Sequence, residues 1–153
     1  MKKVNLTDEQ KAIWKEWAVR LRSGQYRQGR GRLQTLDETE TSYCCLGVLC
    51  DIYADPKLLP TGMEAAWEVY LTGVGRFKVR EVDTDDWSWQ TGSLPFPVRE
   101  WSGADDAAAE YFASANDYWR LSFDQIADLI AHAVDKGELP TRGSEAESIL
   151  GDR

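Results

Sequence analysis

A single histidine, His132, serves a chain of 153 residues, and that scarcity removes whole classes of chemistry at the outset. A Cys–His pair has one partner to draw on. The Cys-Cys-x4-Cys spacing of Cys44, Cys45 and Cys50 with one distant histidine matches no standard zinc site. Three cysteines, odd in number and two of them adjacent, form no sensible disulfide framework and read as free thiols in a reducing cytosol. Long apolar runs are missing too: none approaches the roughly 20 residues of a membrane helix. The lysines near the start give way to polar residues before any signal-type stretch develops. Neither the GK[ST] of a Walker loop nor a dinucleotide fingerprint behind an apolar strand is present. No catalytic set, cofactor or metal is therefore expected. Positive charge is also in deficit, with net charge −8, and the resulting field repels phosphates. General nucleic-acid binding and anionic-membrane binding are expected to be absent.

Order, by contrast, is well encoded. An apolar fraction of 42% with seven Trp, six Tyr and four Phe excludes a disordered chain, and the length suits one domain. Thr7-Asp8-Glu9-Gln10 is a capping-box start. After it, Ile13, Trp14, Trp17, Ala18 and Leu21 mark one face of a helix that Gly24 stops. Thr41 or Ser42 is placed to cap a second helix through YCCLGVLCDIYA, apolar on nearly every side and therefore buried. Ala65 to Leu71 and Phe77 to Arg80 alternate like strands around a hairpin at 72–75. A short helix follows Leu94-Pro95-Phe96-Pro97, and an alanine-rich helix runs from Asp105 to a break at Asn116-Asp117. Ser122-Phe123-Asp124-Gln125 then caps a last helix whose core stripe is Ile126, Leu129, Ile130 and Ala133. The expectation is a single α+β domain over 1–139, helices on a small antiparallel sheet, followed by a polar, flexible tail over 140–153.

Against the acidic background, SGQYRQGRGRL stands out. Five arginines fall between Arg20 and Arg32, interleaved with Gly24, Gly29 and Gly31. Two readings stay open. Arg20 and Arg22 suit the last turn of the first helix, where cations gain about 0.3–1 kcal/mol from the helix dipole. Arg30 and Arg32 can pair across a hairpin with Glu38 and Glu40, which leaves no ligand to explain. Alternatively, Arg27, Arg30 and Arg32 clamp a phosphate beside the open backbone of Gly29 and Gly31, with Gln28 between them and Tyr26 as a stacking surface. Trp14, Trp17 or Trp67 would extend such a platform, and the ligand class it suits is a nucleotide.

The segments at 22–33 and 44–51 resemble a family of small bacteriophage and prophage proteins. Its pattern is RSG-x-Y-x-Q-G-x-G-x-L, then CCLGVLCD, LP-x-x-V-x-x-W, a Leu-Asn-Asp stretch and SF-x-x-IADLI. In this chain these correspond to 22–33, 44–51, 94–101, Asn116-Asp117 and 122–130. The chain departs in LPFPVREW, with its extra proline, and in Ser114-Ala115 before Asn116. The resemblance implies a viral protein working in a bacterial cytoplasm, and it implies no catalytic residue.

Those features point first to an accessory protein that sequesters a small anionic ligand, nucleotide-like or a nucleotide-derived immune signal, through Tyr26, Arg27, Gln28, Gly29, Arg30, Gly31 and Arg32. The alternative is an inhibitor of a host defence or nucleic-acid enzyme. It would make contact through the acidic loop of Asp83, Asp85 and Asp86 with Trp87 and Trp89. A third reading is a cysteine-dependent enzyme, in which Cys44 at a helix N-terminus is activated as a thiolate.

Overall fold

A computed structural model describes residues 2–141 together with 147, 149 and 150. In chain order the elements are β1 (Lys2–Lys3), α1 (Asp8–Arg22), β2 (Arg27–Gln28), β3 (Gln34–Leu36), β4 (Thr41–Tyr43) and α2 (Cys45–Tyr53). They continue with β5 (Met63–Leu71), β6 (Val74–Glu81), β7 (Ser88–Gln90), α3 (Phe96–Ser102), α4 (Asp106–Asp117), α5 (Phe123–Lys136) and β8 (Glu138–Leu139). The architecture is α+β, as the sequence pattern predicts.

Both capping boxes form. Thr7 accepts from the Gln10 N–H while the Gln10 side chain accepts from the Thr7 N–H, and Ser122 and Gln125 repeat the exchange. Because these signals are local, α1 and α5 begin where the sequence puts them. Their apolar faces then meet over the core. Trp14, Trp17 and Phe112 of α4 form an edge-on aromatic cluster with centroids 4.9–5.6 Å apart. Each indole N–H finds a carbonyl: Trp14 donates to Ser102 (2.7 Å) and Trp17 to Cys45 (2.9 Å). The two tryptophans thus tie α3 and α2 to α1, and both are fully buried.

The main sheet has the order β2-β4-β3-β6-β5, with β7 beside the second half of β6. All its pairs are antiparallel except β2 with β4, which run parallel in register Arg27 to Ser42 and Gln28 to Tyr43. The sheet is therefore mixed and not wholly antiparallel as expected, and two local expectations are corrected as well. Thr41 and Ser42 are strand residues and do not cap α2; the N-cap is Cys44. Asn116 and Asp117 do not break α4 but complete its last turn. The predicted tail falls mostly outside the described residues. Within it, Pro140 is buried, and Ile149 and Leu150 pack against the core.

Candidate functional site

The glycine–arginine strip leaves α1 and passes along the edge of the sheet as β2 and the loop to β3. The Gln28 amide and the backbone of Gly29 and Gly31 find partners within the fold. Gln28 Nε2 donates to Asn116 Oδ1 and to the Leu121 carbonyl, both at 2.9 Å. The Gly29 N–H donates to the Tyr43 carbonyl (2.7 Å), and the Gly29 carbonyl accepts from Asn116 Nδ2 (2.9 Å). Gly31, at φ +80°, donates its N–H to Asp117 Oδ1 (2.9 Å). A left-handed residue is needed there to aim the amide, which accounts for that glycine without a ligand.

Asn116 is the hub of this network and is fully buried. Besides Gln28, its Oδ1 accepts the Cys45 N–H (3.3 Å) at the first turn of α2, and its Nδ2 also reaches Asp117 Oδ1 (2.8 Å). A second hub lies one helix away. Asp51 accepts from the Tyr26 hydroxyl (2.6 Å) and from the Trp67 indole (3.0 Å). Burial first, and the Asp51 carboxylate second, push the Tyr26 hydroxyl up to about 12. Tyr26 also stacks edge-on against Tyr43, so its ring is committed to the fold.

The arginines go separate ways. Arg20 is held by Glu16 (2.7 Å) and Asp55 (2.9 Å), Arg22 by Asp128 (2.7 Å), and Arg27 by Glu40 with Asp37 nearby (3.9 Å). Arg30 and Arg32 are exposed and, among the described residues, carry no ion pair. It is Arg27, from the parallel neighbour strand β2, and not Arg30 or Arg32, that meets Glu40. Trp14 and Trp17 lie in the core, out of reach of any ligand at the strip. The structure brings Tyr26, Gln28, Gly29 and Gly31 together as a folding joint and leaves two guanidinium groups free.

Cys44 does sit at the N-cap of α2, but burial outweighs the helix terminus. It pushes the Cys44 thiol up to about 12 and the Cys45 and Cys50 thiols well above their ordinary value. Cys45 Sγ donates to the Phe112 carbonyl (3.4 Å). Protonated, enclosed thiols of this kind are core residues, not nucleophiles. At pH 8 the native protein is expected to resist a thiol-colorimetric reagent, and all three thiols to titrate once denaturant is added. Rapid labelling of the native protein would contradict the burial.

The outer face of β5, β6 and β7 has the opposite character. Phe77 and Val79 of β6 point inward and are buried, so Arg76, Lys78 and Arg80 stand on the outside. Across the ladder, Glu64 pairs with Arg80 (2.8 Å), and Glu68 with Lys78 (2.6 Å) and Arg76. These two cations, Lys78 foremost, hold the Glu68 carboxyl below its ordinary value. Aromatic rings cover the same cations: Arg76 lies 4.9 Å from the Trp89 centroid, and Lys78 and Arg80 lie 4.3 and 4.5 Å from that of Trp87. What remains outward is acidic and apolar. Glu81, Asp83, Asp85 and Asp86 are exposed on the turn into β7. Val69, Tyr70 and Leu71, 43–65% exposed, lie at the opposite, hairpin end of the strands, and Trp89, 41% exposed, stands between the two ends with its ring 4.9 Å from that of Tyr70. Among the described residues β5 pairs with β6 alone, so its other edge presents free backbone groups.

The acidic run is visible in the sequence. Asn116 is visible as well: it falls on the stripe of Ala109 and Phe112, where a polar residue on an apolar face marks a buried hydrogen-bonding centre. Asp51 has no comparable signal, because α2 is apolar all round.

A family model described as a domain of unknown function, DUF8296, matches residues 9–134, and the chain belongs to that family. The match runs from the first turn of α1 to the end of α5, so it takes in the strip, both hubs and the β5–β7 face. No curated protein and no solved structure matches the chain.

Proposed function

We propose that the protein acts by contact, covering a basic surface of a partner protein with the outer face of β5–β7 and the acidic turn at 81–86. The observation that carries this reading is the fate of the cations. Arg76, Lys78 and Arg80 are spent on Glu64, Glu68, Asp85 (3.7 Å from Arg80) and the Trp87 and Trp89 rings, so the face offers the carboxylates of Glu81, Asp83 and Asp86 at one end and aromatic and aliphatic groups towards the other. Exposed Trp and Tyr anchors beside charge are what protein interfaces use. A display of carboxylates fits the surface of a nucleic-acid enzyme, where lysines and arginines await phosphate. The resemblance in sequence to bacteriophage and prophage products supplies the setting of the proposal: a viral accessory protein in the host cytoplasm, directed at a host defence or nucleic-acid enzyme.

Affinity capture from bacterial lysate tests it. The intact protein retains a stoichiometric partner that Asp85→Lys with Asp86→Lys releases, that Trp89→Ala weakens, and that high salt elutes. A partner indifferent to all three changes overturns the assignment of the face. Calorimetry with a nucleotide panel is the parallel arm. Binding that Arg30→Ala with Arg32→Ala abolishes would return the function to the free guanidinium groups of the strip.

A further inference from the structure

A large hollow lies away from that face. It is an open groove of about 930 Å³ between α1, the turn after α2 and α3. One wall is a stripe of α1 from Glu9 through Ala12, Ile13 and Glu16 to Arg20, about 16 Å long at 1.5 Å per residue. The other is Glu100 and Trp101 of α3, and Lys57 and Leu58 close one end. Ile13, Ile52 and Trp101 make the floor apolar, and Leu58 is 40% exposed at the rim. The walls are fixed. Gln10 Nε2 donates to the Glu100 carbonyl (3.2 Å), and Trp101 stacks edge-on against Tyr53 at 5.1 Å.

Charge is distributed unevenly around this floor. Arg20 is neutralised by Glu16 and Asp55. Glu9 and Glu100, exposed at the other end, have no ion pair among the described residues. The groove is thus apolar along its length, anionic at the end near the start of α1, and cationic only at Lys57. Its length and shape suit a short helix laid along α1, whose apolar stripe meets the floor.

We propose that this groove docks a basic amphipathic helix of a partner protein, with lysine or arginine side chains meeting Glu9 and Glu100 and apolar anchors over Ile13, Ile52 and Trp101. The inference rests on residues other than those of the β5–β7 face and stands whether or not that face binds. It commits to a helix rather than a small amine, because an apolar floor about 16 Å long wants several anchors in a row.

The test uses the full chain and a labelled leucine–lysine amphipathic peptide of roughly 14 residues, about four turns. Its leucine–glutamate counterpart and a scrambled leucine–lysine peptide are run beside it. Anisotropy is expected to show saturable binding of the first alone. Ala12→Arg, which puts a long cation into the groove from an exposed helical position, is expected to weaken it about tenfold or more. Glu100→Lys should transfer preference towards the leucine–glutamate peptide, a swap that a merely damaged fold would not produce. Glu38→Lys, in the exposed β3–β4 turn away from both the groove and the β5–β7 face, should leave peptide binding unchanged. Equal binding of the scrambled peptide, or indifference to both groove variants, overturns the proposal. So does a concentration-dependent dimer of this chain that Ala12→Arg abolishes, since the occupant would then be a second copy.

Discussion

Gly47→Ala is expected to destabilise the protein by about 3 kcal/mol or more, the upper end of what overpacking costs. The same change in an exposed helix interior would stabilise by about 1 kcal/mol, so the sign itself is diagnostic. Gly47 sits in α2 where the helix crosses the chain entering β3. A Cβ built on it would lie 1.9 Å from the Leu33 carbonyl oxygen and 2.8 Å from the Leu33 carbonyl carbon. The obstacle is backbone, and it cannot step aside. The Leu33 N–H donates to the Thr91 carbonyl (2.7 Å), its carbonyl accepts from the Cys44 N–H (3.3 Å), and its side chain is fully buried. Thermal unfolding should show a midpoint lowered by roughly 6–12 °C, at 2–4 °C per kcal/mol for a domain of this size. An unchanged or raised midpoint would mean that α2 does not approach the strip this closely.

The same crossing shows which parts of the molecule were legible in the residues and which were not. Thr7 with Gln10 and Ser122 with Gln125 are signals complete within one turn, so α1 and α5 start and stop where the pattern says. The β5–β6 hairpin is equally local, with Gly73 at its turn in the left-handed region at φ +78°. The residue pattern puts the cap of α2 two to three positions too early, because β4 is a strand only by virtue of β2 and β3 on either side of it. Three residues carry no periodicity of their own. The arginines between Arg20 and Arg32 were conspicuous, but their destinations were not. Arg22 finds Asp128 and Arg20 finds Asp55, carboxylates brought near by the packing of α5 and the turn after α2. Composition announces a charge without naming its counter-charge. That is why a strip with the chemistry of a phosphate clamp folds into a joint, while the face left open to solvent is acidic.

Asn116→Leu is expected to cost about 3–4 kcal/mol, which lies in the range reserved for broken buried networks. The substitution keeps the branched shape of the side chain and removes every polar contact of the hub. The Cys45 N–H at the head of α2 and the Gly29 carbonyl in the strip each lose a partner. Gln28 and Asp117 keep one apiece, from the Leu121 carbonyl and the Gly31 N–H. A buried group left unsatisfied costs about 1–3 kcal/mol, so two stranded groups set the size of the effect. Asn116→Asp separates the acceptor from the donor role. It keeps an oxygen for Gln28 and Cys45, loses the donor to Gly29, and places a second carboxyl beside Asp117, now 2.8 Å from Nδ2. Burial and the neighbouring carboxylate both raise the pKa of the introduced group above its unfolded value. Its penalty is therefore full above the folded pKa and shrinks as pH falls and the group takes up a proton. Denaturant unfolding at neutral and mildly acidic pH should show the two variants converging with wild type differently: the aspartate recovers in acid and the leucine does not. Equal stability of all three at neutral pH would mean that Asn116 joins nothing. Loss of both would show that the glycine–arginine strip is held from behind, by α2 and α4, and owes its conformation to them and not to a ligand in front.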